Sequence, residues 1–164
     1  MKYLFIIPLF LVTILSCQTE EPTQFSEEAL QDTFITINDE TITFAKILEK
    51  HKGKTILIDI WATWCRDCIE EMPRVKALQQ EVPDVVFVFL SLDRSTSSWK
   101  KGINTYNLKG DHYFMQSGWD GPFADFIDLD WISRYMVVGP DGQIKLFDAI
   151  KANNIHLREQ LITN

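Results

Sequence analysis

Two cysteines three positions apart, Cys65 and Cys68, are the residues of this chain with the clearest potential for chemistry. They stand in the stretch WATWCRDC at residues 61–68, directly after an apolar run. A pair at this spacing can form a bracing disulfide, contribute to a metal site, or exchange electrons with other thiols. The third cysteine, Cys17, follows an apolar amino-terminal segment.

The brace and the metal site are the weaker interpretations of this pair. A disulfide over three positions closes a loop that is too short to restrain the unfolded chain strongly. A tetrahedral zinc site needs two more ligands, and the three histidines (His51, His112 and His156) are scattered along the chain. The metal site therefore stays a minor alternative.

The position of Cys65 favours redox chemistry. The stretch TILIDIW at 55–61 is typical of a buried strand, and apolar residues at helical spacing follow from Cys65. A cysteine where a helix begins faces unpaired backbone amides and the positive end of the helix dipole, and both favour its thiolate. Cys68 lies one turn on, on the same face, and can attack a mixed disulfide formed by Cys65.

Strands and helices alternate along the rest of the chain. Apolar and polar residues alternate on both sides of NDE, which predicts a β-hairpin, and a helix follows at 44–50. We predict a second buried strand at 84–92, a helix after a serine-rich stretch, a short strand at 111–115 and a helix from Pro122. Two strands around GPDG and a terminal helix complete the order. This order predicts an α/β fold, with a mixed central sheet and helices on both faces.

The amino-terminal residues 1–16 have the layout of an export signal, with one lysine and then an apolar run. At ~13 residues the run is shorter than the roughly 20 residues of a membrane-spanning helix. The stretch ILSC resembles a bacterial lipoprotein box, which implies a lipoprotein signal peptide at 1–16 and lipidation of Cys17. Plain secretion and an uncleaved anchor are the alternatives. We expect a flexible tether at 17–30, which is polar and acidic, and one domain at 31–164.

The charge of the chain excludes some classes of partner. Lys2 is the one basic residue of the predicted signal, so cleavage would leave 15 of the 16 basic residues against 23 acidic residues, a net charge of −8. Nucleic acid and anionic lipid surfaces are poor partners for such a chain. The sequence contains no glycine-rich phosphate loop or nucleotide fingerprint, so we expect no cofactor.

The stretch DIWATWCRDCIEEMP, residues 59–73, matches the pattern DxWATWCxxCxxEMP. With the inserted segment at about 95–131, it resembles the TlpA/ResA-like thiol-disulfide oxidoreductases of the thioredoxin-like superfamily, which are tethered in bacterial envelopes. The resemblance covers about residues 33–160. It implies a thioredoxin-like fold, with Cys65 as the exposed nucleophile and Cys68 as the resolving cysteine.

The resemblance also implies a cellular role. It indicates a protein-disulfide reductase or isomerase that acts on cysteine-containing exported proteins and faces the periplasm. Electrons would come from a membrane thiol donor or a thioredoxin relay. Two other functions stay open, a redox-inert binding module and a peroxiredoxin-like peroxidase. The peroxidase pattern Thr-x-x-Cys is not met, because Ala62 stands three residues before Cys65.

Two carboxyl groups are predicted to take part in the proton chemistry of the cysteines. Asp59 lies in the middle of the buried strand, where burial raises the pKa of a carboxyl. It matches the buried aspartate of thioredoxins, which the resemblance assigns to proton exchange with the resolving cysteine. Glu71 matches the active-site glutamate of the TlpA/ResA-like branch, which tunes cysteine acidity. The alternatives are a structural Asp59 bonded to the backbone and a solvated Glu71 on the helix surface.

Between the cysteines the chain departs from thioredoxins, which usually have Gly-Pro there. Arg66 favours a thiolate at Cys65, whereas Asp67 complements the helix dipole but opposes a neighbouring thiolate. The two effects nearly offset. The redox tuning by Arg66 and Asp67 therefore leaves the reduction potential open.

The second departure concerns the substrate-binding residues, for which we predict Trp64, Ile132 and Ser133. Ser133 stands where the family has a cis-proline. A cis bond before a non-proline residue costs ~3–4 kcal/mol, so we expect a trans or strained bond before Ser133. Trp64 is predicted to be an exposed contact residue. The other aromatic residues near the site could line a groove beside the sulfurs, but core packing is the preferred expectation for them: Trp61, Trp119, Phe123, Phe126 and Trp131.

Overall fold

In the computed structural model, which describes residues 21–162, seven strands form one sheet. The strands are β1 (Thr33–Thr36), β2 (Thr41–Thr43), β3 (Ile56–Trp61), β4 (Val86–Ser91), β5 (Asp111–Met115), β6 (Arg134–Val138) and β7 (Ile144–Ala149). The α-helices are α1 (Glu27–Gln31), α2 (Phe44–Lys50), α3 (Arg66–Glu81), α4 (Thr96–Tyr106), α5 (Pro122–Phe126) and α6 (Ile155–Ile162), and a 3-10 turn covers Gly118–Asp120.

The sheet is mixed, with the strand order β2-β1-β5-β4-β3-β6-β7. Strands β3, β4 and β5 are parallel, while β6 pairs with β3 in the antiparallel sense. Parallel strands end at the same edge of a sheet, and an antiparallel neighbour begins there. The end of β3, the end of β4 and the beginning of β6 therefore meet at one edge.

Helices cover both faces of this sheet. On one face Trp99 of α4 packs on Phe114 of β5, with 5.9 Å between ring centroids. On the other face Phe34 of β1 contacts Phe44 of α2 and Phe123 of α5, at 5.9 and 5.7 Å. All six residues of β3 are buried as a result. The predicted α/β class, with a mixed sheet between helices, is confirmed.

Most of the predicted elements are present, with shifted ends. The hairpin around NDE is formed by β1 and β2, and the strand at 111–115 has the predicted bounds. The helix α5 begins at Pro122 as expected. The strand predicted at 84–92 is shorter at both ends, because β4 begins at Val86 and ends at Ser91.

The packed structure begins earlier than residue 31. The ring of Phe25 is buried against Phe44 and Phe126, at centroid distances of 4.8 and 5.5 Å. Ser26 caps the short helix α1 by accepting a hydrogen bond from the Ala29 backbone N–H. Residues 25–30, which the sequence assigned to the tether, instead pack on the domain, because an apolar ring and a cap lie within the polar stretch.

The predicted signal peptide and Cys17 lie outside the described residues. Within residues 21–162, no helix has the length and apolar character needed to cross a membrane.

Candidate active site

The two cysteines lie where β3 leads into α3, and they are joined by a disulfide with a Cα–Cα distance of 5.3 Å. Cys65 is the N-cap of α3, and the Cys68 backbone N–H donates a hydrogen bond of 3.1 Å to the Cys65 Sγ. Cys65 is 6% exposed and Cys68 is 1% exposed. The amide and the helix dipole both stabilise a thiolate at Cys65, which is also the more accessible sulfur.

A buried aspartate that the sequence analysis missed holds the turn before the cysteines. Asp93 accepts hydrogen bonds from the Thr63 backbone N–H at 3.1 Å, from the Thr63 hydroxyl and from the Ser91 hydroxyl at 2.9 Å. On the same turn, the Trp64 indole N–H donates to the Leu92 carbonyl. The signal available in the sequence was an aspartate directly after a buried strand. Asp93 therefore positions the backbone that carries Cys65.

The connection into β6 passes beside the cysteines. The Cys65 Sγ lies 3.6 Å from the Ile132 carbonyl oxygen, and Ile132 and Ser133 are both buried. The peptide bond between them is cis, so the trans alternative of the expected trans or strained bond is wrong. The expectation used the local preference of the chain alone, whereas both residues are buried where the chain passes the cysteines and enters β6.

A groove with a volume of 410 Å³, which we call the tryptophan groove, opens beside Cys65. Three tryptophans line it, and they are 46%, 38% and 59% exposed in the order Trp64, Trp119 and Trp131. Trp64 is exposed as predicted. Core packing was the wrong expectation for Trp119 and Trp131, because their loops lie at the edge of the sheet and not on its faces.

The other three aromatic residues for which core packing was expected are buried or partly buried. Trp61 and Phe123 are fully buried, and Phe126 is partly buried against the core. Helix α4 lies close against Trp61, since a Cβ atom at Gly102 would meet both the Trp61 ring and the Thr63 side chain. Trp61 therefore supports the turn that leads to Cys65.

A buried arginine holds the outer wall of the groove. The Arg134 guanidinium donates to the Ile127 carbonyl at 3.2 Å and to the Asp130 carboxylate at 2.9 Å. These bonds tie the connection between α5 and β6 to the sheet. That connection carries Trp131 and Ile132, both of which line the groove.

Arg66 and Asp67 lie at the mouth of the groove. The Arg66 Nε donates to the Glu70 carboxylate at 2.8 Å, and this exposed pair raises the pKa of Arg66. Because Glu70 partly neutralises it, Arg66 supports a Cys65 thiolate less than the sequence alone suggests. Asp67 is exposed in the first turn of α3.

Asp59 is 1% exposed in the middle of β3. Neither of its carboxyl oxygens has a hydrogen-bond partner among residues 21–162, which contradicts the alternative of an aspartate bonded to the backbone. Burial, and then the charge of Glu71, raise the pKa of Asp59 to about 8. A carboxyl with such a pKa can take up and release a proton near neutral pH.

Glu71 is also buried, so the alternative of a solvated glutamate is wrong. Its Oε2 accepts a hydrogen bond of 2.9 Å from the Ala152 backbone N–H, and its Oε1 pairs with Arg74. Glu71 lies on the buried face of α3 together with Cys68. The structure thus brings both cysteines and both predicted carboxyl groups to the junction of β3 and α3.

Tyr135 is a further buried residue of this region that the sequence analysis missed. It lies directly opposite Asp59 in the pairing of β6 with β3. Burial, and then the charge of Asp59, hold the pKa of Tyr135 far above its usual value. A tyrosine two residues after Ser133, in a strand that pairs with the Asp59 strand, was the available signal.

Within residues 21–162, no group of three or more histidine, cysteine, aspartate or glutamate side chains is arranged to hold a metal ion. Each sulfur of the cysteine pair is bonded to the other.

Comparison with known proteins places these features in a wider context. Residues 53–144 match a family model described as thioredoxin-like. The thioredoxin-like protein YneN of Bacillus subtilis is 38% identical over 65 residues, which cover 37% of this chain and 38% of that protein. The thiol-disulfide oxidoreductase ResA of Bacillus anthracis is 33% identical over 64 residues, with coverages of 38% and 37%. The chain thus spans less than half the length of these curated relatives.

Solved structures extend the similarity over most of the described residues. A solution structure of a candidate thiol-disulfide oxidoreductase from Bacteroides vulgatus is 32% identical, with a TM-score of 0.62 and coverages of 74% of this chain and 78% of that one. A secreted disulfide oxidoreductase of Mycobacterium tuberculosis, described as homologous to E. coli DsbE, is 20% identical with a TM-score of 0.63. It covers 85% of this chain and 100% of its own, and it shows the shared fold alone.

Proposed function

Because this chain belongs to the thioredoxin-like family, we propose that it is a thiol-disulfide oxidoreductase that acts through Cys65 and Cys68. One observation carries the proposal, namely the disulfide at the start of α3, where the Cys65 sulfur accepts the Cys68 amide beside an exposed groove. A structural brace gains little from so short a loop. A reactive pair is favoured by the Cys68 amide, which stabilises a Cys65 thiolate, and by the exposed groove, through which a substrate can reach Cys65.

The proposed reaction begins with the reduced pair. The Cys65 thiolate attacks one sulfur of a substrate disulfide, which releases the other substrate sulfur as a thiolate and leaves a mixed disulfide. Cys68 then loses its proton to the Asp59 carboxylate and attacks the Cys65 sulfur. The second substrate thiolate leaves, and the protein is left with the Cys65–Cys68 disulfide. An external dithiol donor returns two electrons and two protons for the next cycle.

The surrounding residues have supporting roles in this proposal. Trp64, Ile132 and Ser133 bind the substrate chain; Trp64 and Ile132 line the groove beside Cys65, and Ser133 lines the neighbouring cavity. After burial, the negative charge of Glu71 also raises the pKa of Asp59, so this carboxyl can both accept the Cys68 proton and release it near neutral pH. Arg66 and Asp67 tune the thiolate from the groove mouth.

For substrates and location, we propose cysteine-containing exported proteins in a bacterial envelope, with the chain acting as a reductase or isomerase. The support is the export-signal layout of residues 1–16 and the ILSC stretch. Cleavage before Cys17 and its acylation would place the domain on the periplasmic side of a membrane, on a tether. A membrane thiol donor is then the natural source of electrons.

Reduction of a model disulfide protein by dithiothreitol tests the activity. We expect Cys65→Ala to abolish the catalysed rate, because the more accessible of the two nucleophiles is lost. Cys68→Ala should instead accumulate a mixed disulfide, which is visible by mass spectrometry. Gln80→Ala, an exposed change on the same helix, is the matched control. If both cysteine variants reduced the substrate as fast as the control, the proposal would fail and a redox-inert binding module would be favoured.

A further inference from the structure

The tryptophan groove exposes three large aromatic side chains beside Cys65. The proposed disulfide exchange gives roles to Trp64 and Ile132, but it gives none to Trp119 and Trp131, which are 38% and 59% exposed. A single exposed apolar residue is ordinary, whereas several that line one groove indicate a binding site. The groove therefore has recognition capacity that disulfide exchange alone does not require.

A buried aspartate holds the segment that carries Trp119. The Asp32 carboxylate accepts hydrogen bonds from the Ser117 hydroxyl at 2.6 Å and from the Phe123 backbone N–H at 3.1 Å. Ser117 and Phe123 lie on either side of the 3-10 turn that contains Trp119, and Asp32 is 7% exposed. Hydrogen bonds to an ionised acceptor are strong. Both ends of this segment are thus fixed to the beginning of the sheet.

The other two tryptophans of the groove are also held in place. The Trp64 indole N–H donates a hydrogen bond of 3.3 Å to the Leu92 carbonyl. Next to Trp131, the Asp130 carboxylate accepts a hydrogen bond of 2.9 Å from the buried Arg134 guanidinium. Three separate segments therefore bring their indoles to one groove before a substrate arrives, which lowers the entropic cost of binding.

The charged groups at the mouth of the groove have a negative balance. Asp67 and Asp130 line the groove together with Arg66, whose guanidinium is paired with Glu70 at 2.8 Å. With Arg134 behind Asp130, the local set contains three carboxylates and two guanidinium groups. The net charge of the whole sequence, −7, has the same sign. This field attracts a cation and repels an acidic side chain.

A basic side chain satisfies both features of the groove. Lysine and arginine carry an apolar stem, which can pack on the indoles, and a cationic head, which can reach the carboxylates at the mouth. A cation over the face of a tryptophan ring is attracted by its π electrons, and a guanidinium also stacks on the ring. A purely apolar side chain would use the indoles but not the carboxylates.

We propose that the tryptophan groove binds a lysine or arginine side chain of the substrate, close in sequence to the cysteine that Cys65 attacks. The proposal rests on the disulfide exchange proposed above and names its substrate class, which is disulfides flanked by basic residues. Trp119 and Trp131 are then specificity-determining residues, and Asp67 supplies negative charge at the mouth of the groove.

The test compares two short peptides, Gly-Xaa-Cys-Xaa-Gly with arginine or leucine as Xaa, whose cysteine carries thionitrobenzoate as a mixed disulfide. The Cys65 thiolate of the reduced protein attacks the peptide sulfur, and the bond to thionitrobenzoate breaks and releases its coloured anion. Each rate is divided by the rate of the same peptide with dithiothreitol, which corrects for intrinsic reactivity. We expect the arginine peptide to react about tenfold faster at low salt, and this ratio to fall as salt is added.

Substitutions in the groove should lower the ratio of the arginine rate to the leucine rate. Trp119→Leu and Trp131→Leu keep an apolar side chain but remove the aromatic face, and each should lower the ratio about threefold. Asp67→Asn should also lower it, because a negative charge is lost. Both peptides meet the same Cys65 in each variant, so a change in thiol acidity cancels in the ratio. Asp84→Asn, an exposed change just before β4 begins, is the matched control and should keep the wild-type ratio.

The possible outcomes separate the specificity from the chemistry. Equal corrected rates for the two peptides with the wild-type protein, or a faster leucine peptide, would overturn the preference for basic residues. An arginine preference that neither tryptophan variant lowers would overturn its assignment to the groove. If the reduced wild-type protein released thionitrobenzoate from neither peptide, the disulfide exchange itself would be overturned.

Discussion

Asp59 is the residue at which stability and function conflict most directly. It is buried in β3 without a hydrogen bond from any described residue, an arrangement that disfavours its charged form. A well-packed apolar side chain or an amide at this position would destabilise the folded state less than a buried carboxyl does. The same burial places the carboxyl in the range where it can accept and return a proton near neutral pH. We attribute the retained cost to this proton exchange.

The raised pKa of Asp59 predicts how stability depends on pH. Its folded value of about 8 lies above its ordinary value of 3.8, so between these values the folded state keeps a proton that the unfolded state has released. Stability from this group is therefore present below the unfolded pKa and falls as pH rises through the window. We expect Asp59→Asn to stabilise the oxidised protein by about 5 kcal/mol at pH 7.5 and by little at pH 4.

Urea unfolding at the two pH values measures this difference. Asp93→Asn is the matched control, because Asp93 is buried like Asp59 but accepts hydrogen bonds from Thr63 and Ser91. That variant should not stabilise the protein at pH 7.5. An equal gain for Asp59→Asn at pH 4 and pH 7.5 would contradict a raised pKa as the cause.

At the scale of elements, the site depends on the edge where β3 and β4 end and β6 begins. Asp93 after β4 holds the turn before Cys65, and Arg134 at the start of β6 holds the connection that carries Trp131. The chemistry therefore lies on α3, while its neighbours are positioned by bonds between different elements. The amino-terminal segment packs on the sheet domain through Phe25, which contacts α2 and α5.

Loss of the Phe25 ring tests whether this segment belongs to the domain. Phe25→Ala removes a buried ring that contacts Phe44 and Phe126, and we expect a loss of about 3 kcal/mol in the free energy of unfolding. Ile37→Ala, at an exposed apolar position, is the control and should change stability by less than about 1 kcal/mol. Urea unfolding of both variants gives the comparison. Equally small losses in the free energy of unfolding of both variants would indicate that residues 25–30 belong to the tether.

At the scale of the whole molecule, the sequence predicts an export signal, a tether and one domain, for which we propose a redox function. The acidic surface, with a net charge of −7 over the full sequence, disfavours direct adsorption to anionic lipids. A covalent anchor at Cys17 would solve this problem, because two acyl chains hold a protein stably at a bilayer. The tether would then set how far the tryptophan groove can reach from the membrane.

The lipid anchor is tested by Cys17→Ser in a bacterium that processes lipoproteins. We expect the wild-type chain to incorporate labelled fatty acid and to sediment with membranes, and the variant to do neither. Cys65→Ala controls for unspecific thioester labelling, since it should keep both properties. Fatty-acid incorporation at wild-type level in Cys17→Ser would contradict the anchor.

The α/β class, the hairpin and the junction of β3 with α3 could all be predicted from the sequence. Each depends on local signals, such as the apolar run at 55–61, the helical spacing after Cys65 and the NDE turn. The cysteine pair and Asp59 were candidates for the same reason, since their residue types and neighbours in the chain already indicate chemistry. The resemblance to thioredoxin-like proteins added expected roles to these positions.

Only the tertiary structure revealed the partners of these residues. The exposure of Trp119 and Trp131, the hydrogen bonds of Asp93 and the placement of Tyr135 opposite Asp59 all join segments that are distant in sequence. Local patterns record which face of an element is apolar, but not which loops meet at the edge of a sheet. Hydrogen-bond partners and exposure at that edge depend on how separate elements pack, and here they define the tryptophan groove and the turn that carries Cys65.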